Sequence, residues 1–210
     1  MNLGLGNLDE LKRHLLSESF VSRTDFDAAI TIVGRGIAGQ FDKYCNRNFE
    51  RVADAKVEFT ADRNHYYLPR YPLEVISSVE QRTSLAEGWV ALPTNGIIQN
   101  LDETIGLIQF DGQLGHWSVR LRITYTGGNW FETLEPDAED YPTDQPEGST
   151  ALPPDVKLAW LLQAGHVWAT MDKLGTSIAQ DDKAASTLSA LDLIPEVKQA
   201  LDSHKRYMIT

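Results

Sequence analysis

Gly34, Gly36 and Gly39 form a G-x-G-x-x-G pattern directly after the apolar run Ile30-Thr31-Ile32-Val33. Glycines at that spacing let backbone N–H groups approach a pyrophosphate at a helix N-terminus. Glu58 follows the third glycine by about twenty residues, where a ribose-binding acid is expected. Together these four residues would support dinucleotide binding, and with it an oxidoreductase. The other candidates for chemistry are sparser. The five histidines (His14, His65, His116, His166 and His204) show no HExxH or i, i+4 spacing, and Cys45 is the single cysteine, so neither a zinc cluster nor an internal disulfide is spelled out. His166 lies in an apolar helical run, where a hydrogen-bonded core histidine is the commoner case. No G-x-S-x-G elbow and no Walker loop is present. Trp89, Trp117 and Trp130 fall in a β-rich region and could form a platform for a glycan, although core packing is the commoner use of such residues.

The elements that would have to position these groups decide between the readings. With a period of 3.6, Ala29, Ile30, Val33, Ile37, Phe41 and Tyr44 share one side of a helix spanning 24–48. Thr24 suits its N-cap, and Asp27 lies in the acid-favouring first turn. The period does not change at Gly34, as a strand-to-helix nucleotide turn requires. Three interior glycines cost a helix about 1 kcal/mol each, which is tolerable where a neighbouring element packs closely. Downstream, 55–128 reads as successive strands with no helical pattern between them. A doubly wound nucleotide fold needs alternating strands and helices. The helix is therefore the reading adopted, with dinucleotide binding kept as the alternative.

Around that helix the chain predicts the following order. Asn7 caps a short helix, 7–16, with Glu10 placed for a capping box. Within 55–128, the stretch Ser118–Thr126 alternates, with Val119, Leu121, Ile123 and Tyr125 on a dry face and Ser118, Arg120, Arg122 and Thr124 on a wet one. A loop at 131–150 carries seven acids between Glu132 and Glu147 and no base, without calcium-loop spacing. Pro153-Pro154-Asp155 opens a helix over 154–172 that is apolar nearly all round. Leu158, Leu161, Leu162 and Trp168 take one side; Trp160, Ala164, Val167 and Met171 take another. The second set is the candidate subunit interface, because such a helix needs cover from more than one direction. After a polar linker from 175, the C-terminus offers a short helix from Pro195 with Val197 and Leu201 on one face. Lys205 and Arg206 follow, then Tyr207-Met208-Ile209. An apolar end on an acidic chain is expected to dock on something.

The net charge of −11 and pI near 4.8 argue against a surface that grips nucleic acid by neutralising phosphates. No apolar run reaches the length of a membrane span, and the first residues lack a signal-peptide pattern, so the expectation is a protein made and used in a cytoplasm.

The order of motifs resembles a known family. Phe41-Asp-Lys-Tyr-Cys-Asn-Arg-Asn-Phe49 ends the long helix; Leu68-Pro-Arg-Tyr-Pro-Leu-Glu-Val-Ile-Ser-Ser-Val79 and Arg120-Leu-Arg-Ile-Thr-Tyr-Thr-Gly-Gly128 follow; Leu152-Pro-Pro-Asp-Val-Lys-Leu-Ala-Trp160 leads into the second helix. This order, over residues 7–174, is similar to that of the head–tail connector (adaptor) proteins of tailed bacteriophages. The resemblance implies an α+β fold: a helical bundle of two long helices and a short N-terminal one, an inserted antiparallel β region and an extended C-terminal arm. It divides the chain into a connector domain, 1–174, and a linker with a portal-docking arm, 175–210. It implies no enzymatic activity and no cofactor or metal. It implies a neck protein in the virion, assembled in the host cytoplasm as a ring of about twelve under the portal, extending the DNA channel and meeting the tail or the next neck (stopper) protein. Genomic DNA would pass without specific binding through a ring whose charge is about −130. The arm residues so assigned to portal docking are Pro195, Val197, Leu201, Lys205, Arg206, Tyr207, Met208 and Ile209. A tail-associated glycan- or receptor-binding module is a further alternative, resting on the three tryptophans.

Overall fold

The computed structural model describes residues 3–84, 86–132, 144–170 and 192–206. The chain divides into two compact units. One comprises residues 1–46, 131–144 and 152–210, and the other residues 47–130 and 145–151.

The first unit is helical. α1 (Leu8–Leu15) is capped by Asn7, whose side chain accepts from the Glu10 amide at 2.8 Å. The Glu10 carboxylate does not close a capping box. It pairs with Lys157 Nζ at 2.8 Å instead. α2 (Glu18–Val21) is a single turn. α3 (Asp27–Cys45) starts after Phe26 with no side-chain cap and ends at Asn46 in the left-handed region, φ 53°. α4 (Pro154–Thr170) and α5 (Pro195–Asp202) complete the unit. α3 is helical through Gly34, Gly36 and Gly39, so no turn opens at the first glycine. Only Gly34 has a packing reason to be glycine. A Cβ there would lie 3.0 Å from Leu3 Cδ1 and from Leu11 Cδ2, and 3.3 Å from the Trp160 ring, whereas Gly36 and Gly39 face open space.

The second unit is built of strands: β1 (Val52–Thr60), β2 (His65–Tyr67), β3 (Leu73–Arg82), β4 (Val90–Leu92), β5 (Ile98–Asp102), β6 (Leu107–Phe110), β7 (Arg120–Gly127), β8 (Asn129–Trp130) and β9 (Thr150–Ala151). They form an antiparallel four-stranded sheet in the order β1-β7-β3-β4, an antiparallel three-stranded sheet β2-β6-β5, and the parallel pair β8-β9. The inward residues of both larger sheets share one core that includes Tyr66, Leu68, Val79, Ile108, Phe110, Leu121, Ile123 and Tyr125. The alternation along β7 holds at Arg120 and Arg122. It breaks at Thr124 and Thr126, which are 7% exposed.

A helical bundle of two long helices with an inserted β region is not the architecture that forms. Among the described residues the fold is mixed: five helices, four of seven residues or more, and several antiparallel sheets. The strands close a core of their own, so they make a compact unit instead of an excursion from a bundle. On the helical side, eight-residue helices and the irregular Leu3 and Leu5, both fully buried, complete the core that two long rods were expected to fill. Helical periodicity reports a buried face but not what covers it.

Candidate functional site

In the helical unit the organising side chain is Trp160. It is fully buried, and its indole N–H donates to the Gly34 carbonyl at 3.0 Å. Gly6 and Gly34 flank the ring; a Cβ at Gly6 would stand 2.6 Å from Trp160 Cζ3. A large aromatic can lie across a helix backbone only where that backbone lacks a Cβ. Ala164 and Val167 are buried with it, at 0% and 4% exposure, so these three of the four candidate interface residues face the chain's own core. Met171 lies outside the described residues. The exposed large apolar residues of α4 are Leu158 (56%) and Leu162 (43%), one turn apart, and α3 exposes Ile32 (73%).

The C-terminal candidates are placed as follows. Pro195 opens α5 and is exposed, while Val197 and Leu201 are fully buried. Gln163 on α4 ties down the approach to α5: its side-chain amide donates to Asp192 O and its carbonyl accepts from the Ile194 amide, both at 3.0 Å. The Arg206 amide donates to Cys45 O at 2.9 Å. Lys205 pairs with Asp202 at 2.7 Å and lies 3.8 Å from the centre of the Tyr44 ring, whose hydroxyl donates to Asp202 at 2.9 Å. Hydrogen bonds from Lys205 and Tyr44 hold the Asp202 carboxyl below its ordinary range, and the bond to Asp202 raises Lys205. His204 contacts Asp155 at 2.7 Å. Burial pushes the Asp155 carboxyl up, but His204 and the backbone N–H groups of Val156 and Asp155 together outweigh it, and the net shift is downward. Tyr207, Met208 and Ile209 lie outside the described residues.

In the strand unit, the open face of the four-stranded sheet carries a cluster of charged side chains. Arg122 stands opposite Glu58 on β1 and Glu80 on β3, and its guanidinium bonds Glu80 at 2.8 Å. That bond, above all, holds the Glu80 carboxyl low and raises Arg122. Trp89 lies under both Arg82 and Arg122, with guanidinium carbons 4.6 and 4.3 Å from its ring. Of the proposed glycan platform, Trp89 is thus half-buried between cations, Trp117 is 78% exposed, and Trp130 sits partly covered on β8. Glu58 belongs to this sheet, and its carboxylate lies 4.0 Å from Arg82. The glycine pattern and the acid once paired with it by spacing therefore serve a helix and a strand of separate units. Among the described residues, no three of His, Cys, Asp or Glu gather as a metal site would require.

No protein-family model matches the chain, and no curated protein matches it. Solved structures do. A chain from the virion of a native gene transfer agent particle aligns over 97% of this chain and 90% of its own length, at TM-score 0.58 and 16% identity. A chain from the neck of an empty gene transfer agent particle, computed with C6 symmetry, aligns over the same shares at TM-score 0.55 and 16% identity. At that identity the likeness is one of fold.

Sequence reasoning missed two features. The notch of Gly6 and Gly34 around Trp160 joins residues more than a hundred positions apart, and no local pattern reports it. The alternation along β7 did mark Arg120 and Arg122 as wet, but it could not reveal that their cross-strand neighbours differ in sign.

Proposed function

We propose that the chain is a structural, non-enzymatic neck component of a tailed-phage-like particle, carried in the virion and assembled there as a ring beneath the portal. The observation that supports this best is the fold likeness to gene transfer agent chains along nearly the whole length, one of them from a neck. The order of the Leu68–Val79, Arg120–Gly128 and Leu152–Trp160 motifs points the same way. In this reading about twelve copies line a passage for DNA. The ring's acidity keeps the passing polymer from adhering, since grip would need phosphates to be neutralised. Trp160, Ala164 and Val167 hold α4 in its own subunit, so contact between neighbours falls to the exposed Leu158 and Leu162. The C-terminal arm makes the portal contact, with Pro195, Lys205 and Arg206 as its accessible members. Val197 and Leu201 anchor α5 from below.

Electron microscopy tests the assignment. The purified chain, imaged alone and mixed with the portal protein of its own particle, should form rings of about twelve, at least on the portal. A chain that stays monomeric in both preparations is not a neck ring component.

A further inference from the structure

Two adjacent rows on the open face of the four-stranded sheet differ in charge. The first reads Glu58–Arg122–Glu80 across β1, β7 and β3; the second reads Thr60–Arg120–Arg82. Like charges directly opposite each other on neighbouring strands repel, and a fold keeps them at a cost unless an anion sits between them. Among the described residues no carboxylate sits between them. Arg120 has no hydrogen bond or ion pair among the described residues. The nearest carboxylate to Arg82, Glu58, is 4.0 Å away, beyond hydrogen-bond reach, and Arg82 Nε finds no acceptor. Two acids face three bases over both rows, so a positive charge is left over in a chain that is strongly negative as a whole.

That surplus lies beside a pocket of about 350 Å³ lined by Arg82, Ser84, Trp117, Ser118 and Arg120. Trp89 packs under the Arg82 guanidinium and fixes it, so little side-chain freedom is lost when a ligand arrives. Trp117 supplies an exposed aromatic face at the rim. Paired guanidiniums with hydroxyls beside them suit a planar oxyanion, and the indole suits a proline or aromatic ring next to it.

We propose that this pocket binds a carboxylate side chain of an acidic, proline-containing peptide segment from another protein chain. A peptide is favoured over nucleic acid because the pocket offers two guanidiniums, two hydroxyls and one indole face, which match a single carboxylate with a ring beside it, whereas gripping a polyphosphate takes a row of cations. The Glu132–Glu147 stretch, with seven acids, three prolines and no base, has this chemistry, so a second copy could supply it. The inference does not rest on the neck assignment, because it concerns binding by the single chain.

The test is a titration of the full chain, followed by the Trp117 indole N–H resonance and assigned with Trp117→Phe. The probe is a capped synthetic peptide of residues 132–147; its twin has every acid replaced by the amide. Saturable movement of the Trp117 signal with the acidic peptide alone is expected, weakened about tenfold by Arg120→Gln and likewise by Arg82→Gln, as for loss of one charged hydrogen bond. Among the described residues Arg120→Gln removes no partner, so its fold should be unchanged in the same spectra. Equal binding of the twin, unchanged affinity in Arg120→Gln, or tighter binding of a short single-stranded oligonucleotide would each overturn the proposal. None of these outcomes depends on whether rings form.

Discussion

Buried polar groups in the helical unit find partners far along the chain. The Trp160 indole reaches Gly34, the Gln163 amide holds Asp192 and Ile194, and Cys45 O takes the Arg206 amide. On the open face of the four-stranded sheet, by contrast, charged groups meet the next strand, as Arg122 meets Glu80. The contrast is one of consequence. Removing a helical-unit partner empties space or strands a polar atom in a dry core, whereas removing a sheet-face partner returns a charge to water. Substitutions in the helical core should therefore be read in stability and those on the open sheet face mainly in pH dependence and binding.

The largest effect is expected at Trp160. Trp160→Ala should cost about 3–5 kcal/mol, since it leaves a cavity that the flanking backbone of Gly6 and Gly34 cannot fill. Trp160→Phe keeps most of the volume but loses the indole N–H; its cost should be smaller, and the difference between the two in denaturant melts separates packing from the hydrogen bond. If Trp160→Ala melts like the parent, the ring is not the centre of this core.

Next comes Leu201, fully buried on α5. Leu201→Ala should lower stability by about 2–5 kcal/mol. For the same reason a truncation before Pro195 removes Val197 and Leu201 together, uncovers the core they pack on, and should destabilise the whole helical unit, beyond any loss of portal binding. Chemical denaturation of the truncated chain checks this. An unchanged midpoint would mean that α5 is an appendage.

The three glycines of α3 sharpen the comparison inside one helix. Gly34→Ala gains helix propensity but forces a methyl against Leu3, Leu11 and the Trp160 ring, so a net loss of up to about 2 kcal/mol is expected. Gly36→Ala and Gly39→Ala meet nothing and should each add about 0.5–1 kcal/mol. Thermal melts of the three single variants suffice. Equal effects at all three positions would remove the packing argument for Gly34.

How much was legible follows from the range of each interaction. Asn7 as an N-cap, the alternation of Val119 to Ile123, and the proline start of α4 are local, and spacing alone carries them. Thr24 looked like the cap of α3, but the helix starts after Phe26, because Asp27 N already bonds Thr24 O in a preceding turn. Trp160, Ala164 and Val167 read as an outward stripe on an all-apolar helix. The cover of Trp160 comes from Gly6 and from Gly34 on α3, which no window around α4 contains. Arg120 and Arg122 looked alike because a strand's own sequence is silent about register with its neighbours.

The smallest expected effect concerns that last pair and is read through pH. The bond to Arg122 holds the Glu80 carboxyl below its ordinary value, so the unfolded chain takes up this proton more readily than the folded one. The stabilisation is thus fully present above the ordinary carboxylate range and is lost as pH falls through the folded value. Glu80→Gln should melt slightly below the parent at pH 7, and the gap should close toward pH 3. Arg120→Gln lacks such a partner, so it should show no loss at either pH, and relief from Arg82 opposite should if anything raise its melting temperature. A Glu80→Gln gap that persists unchanged at pH 3 would assign the contribution to packing of Trp89 beneath the two guanidiniums, since protonation cannot remove that contact.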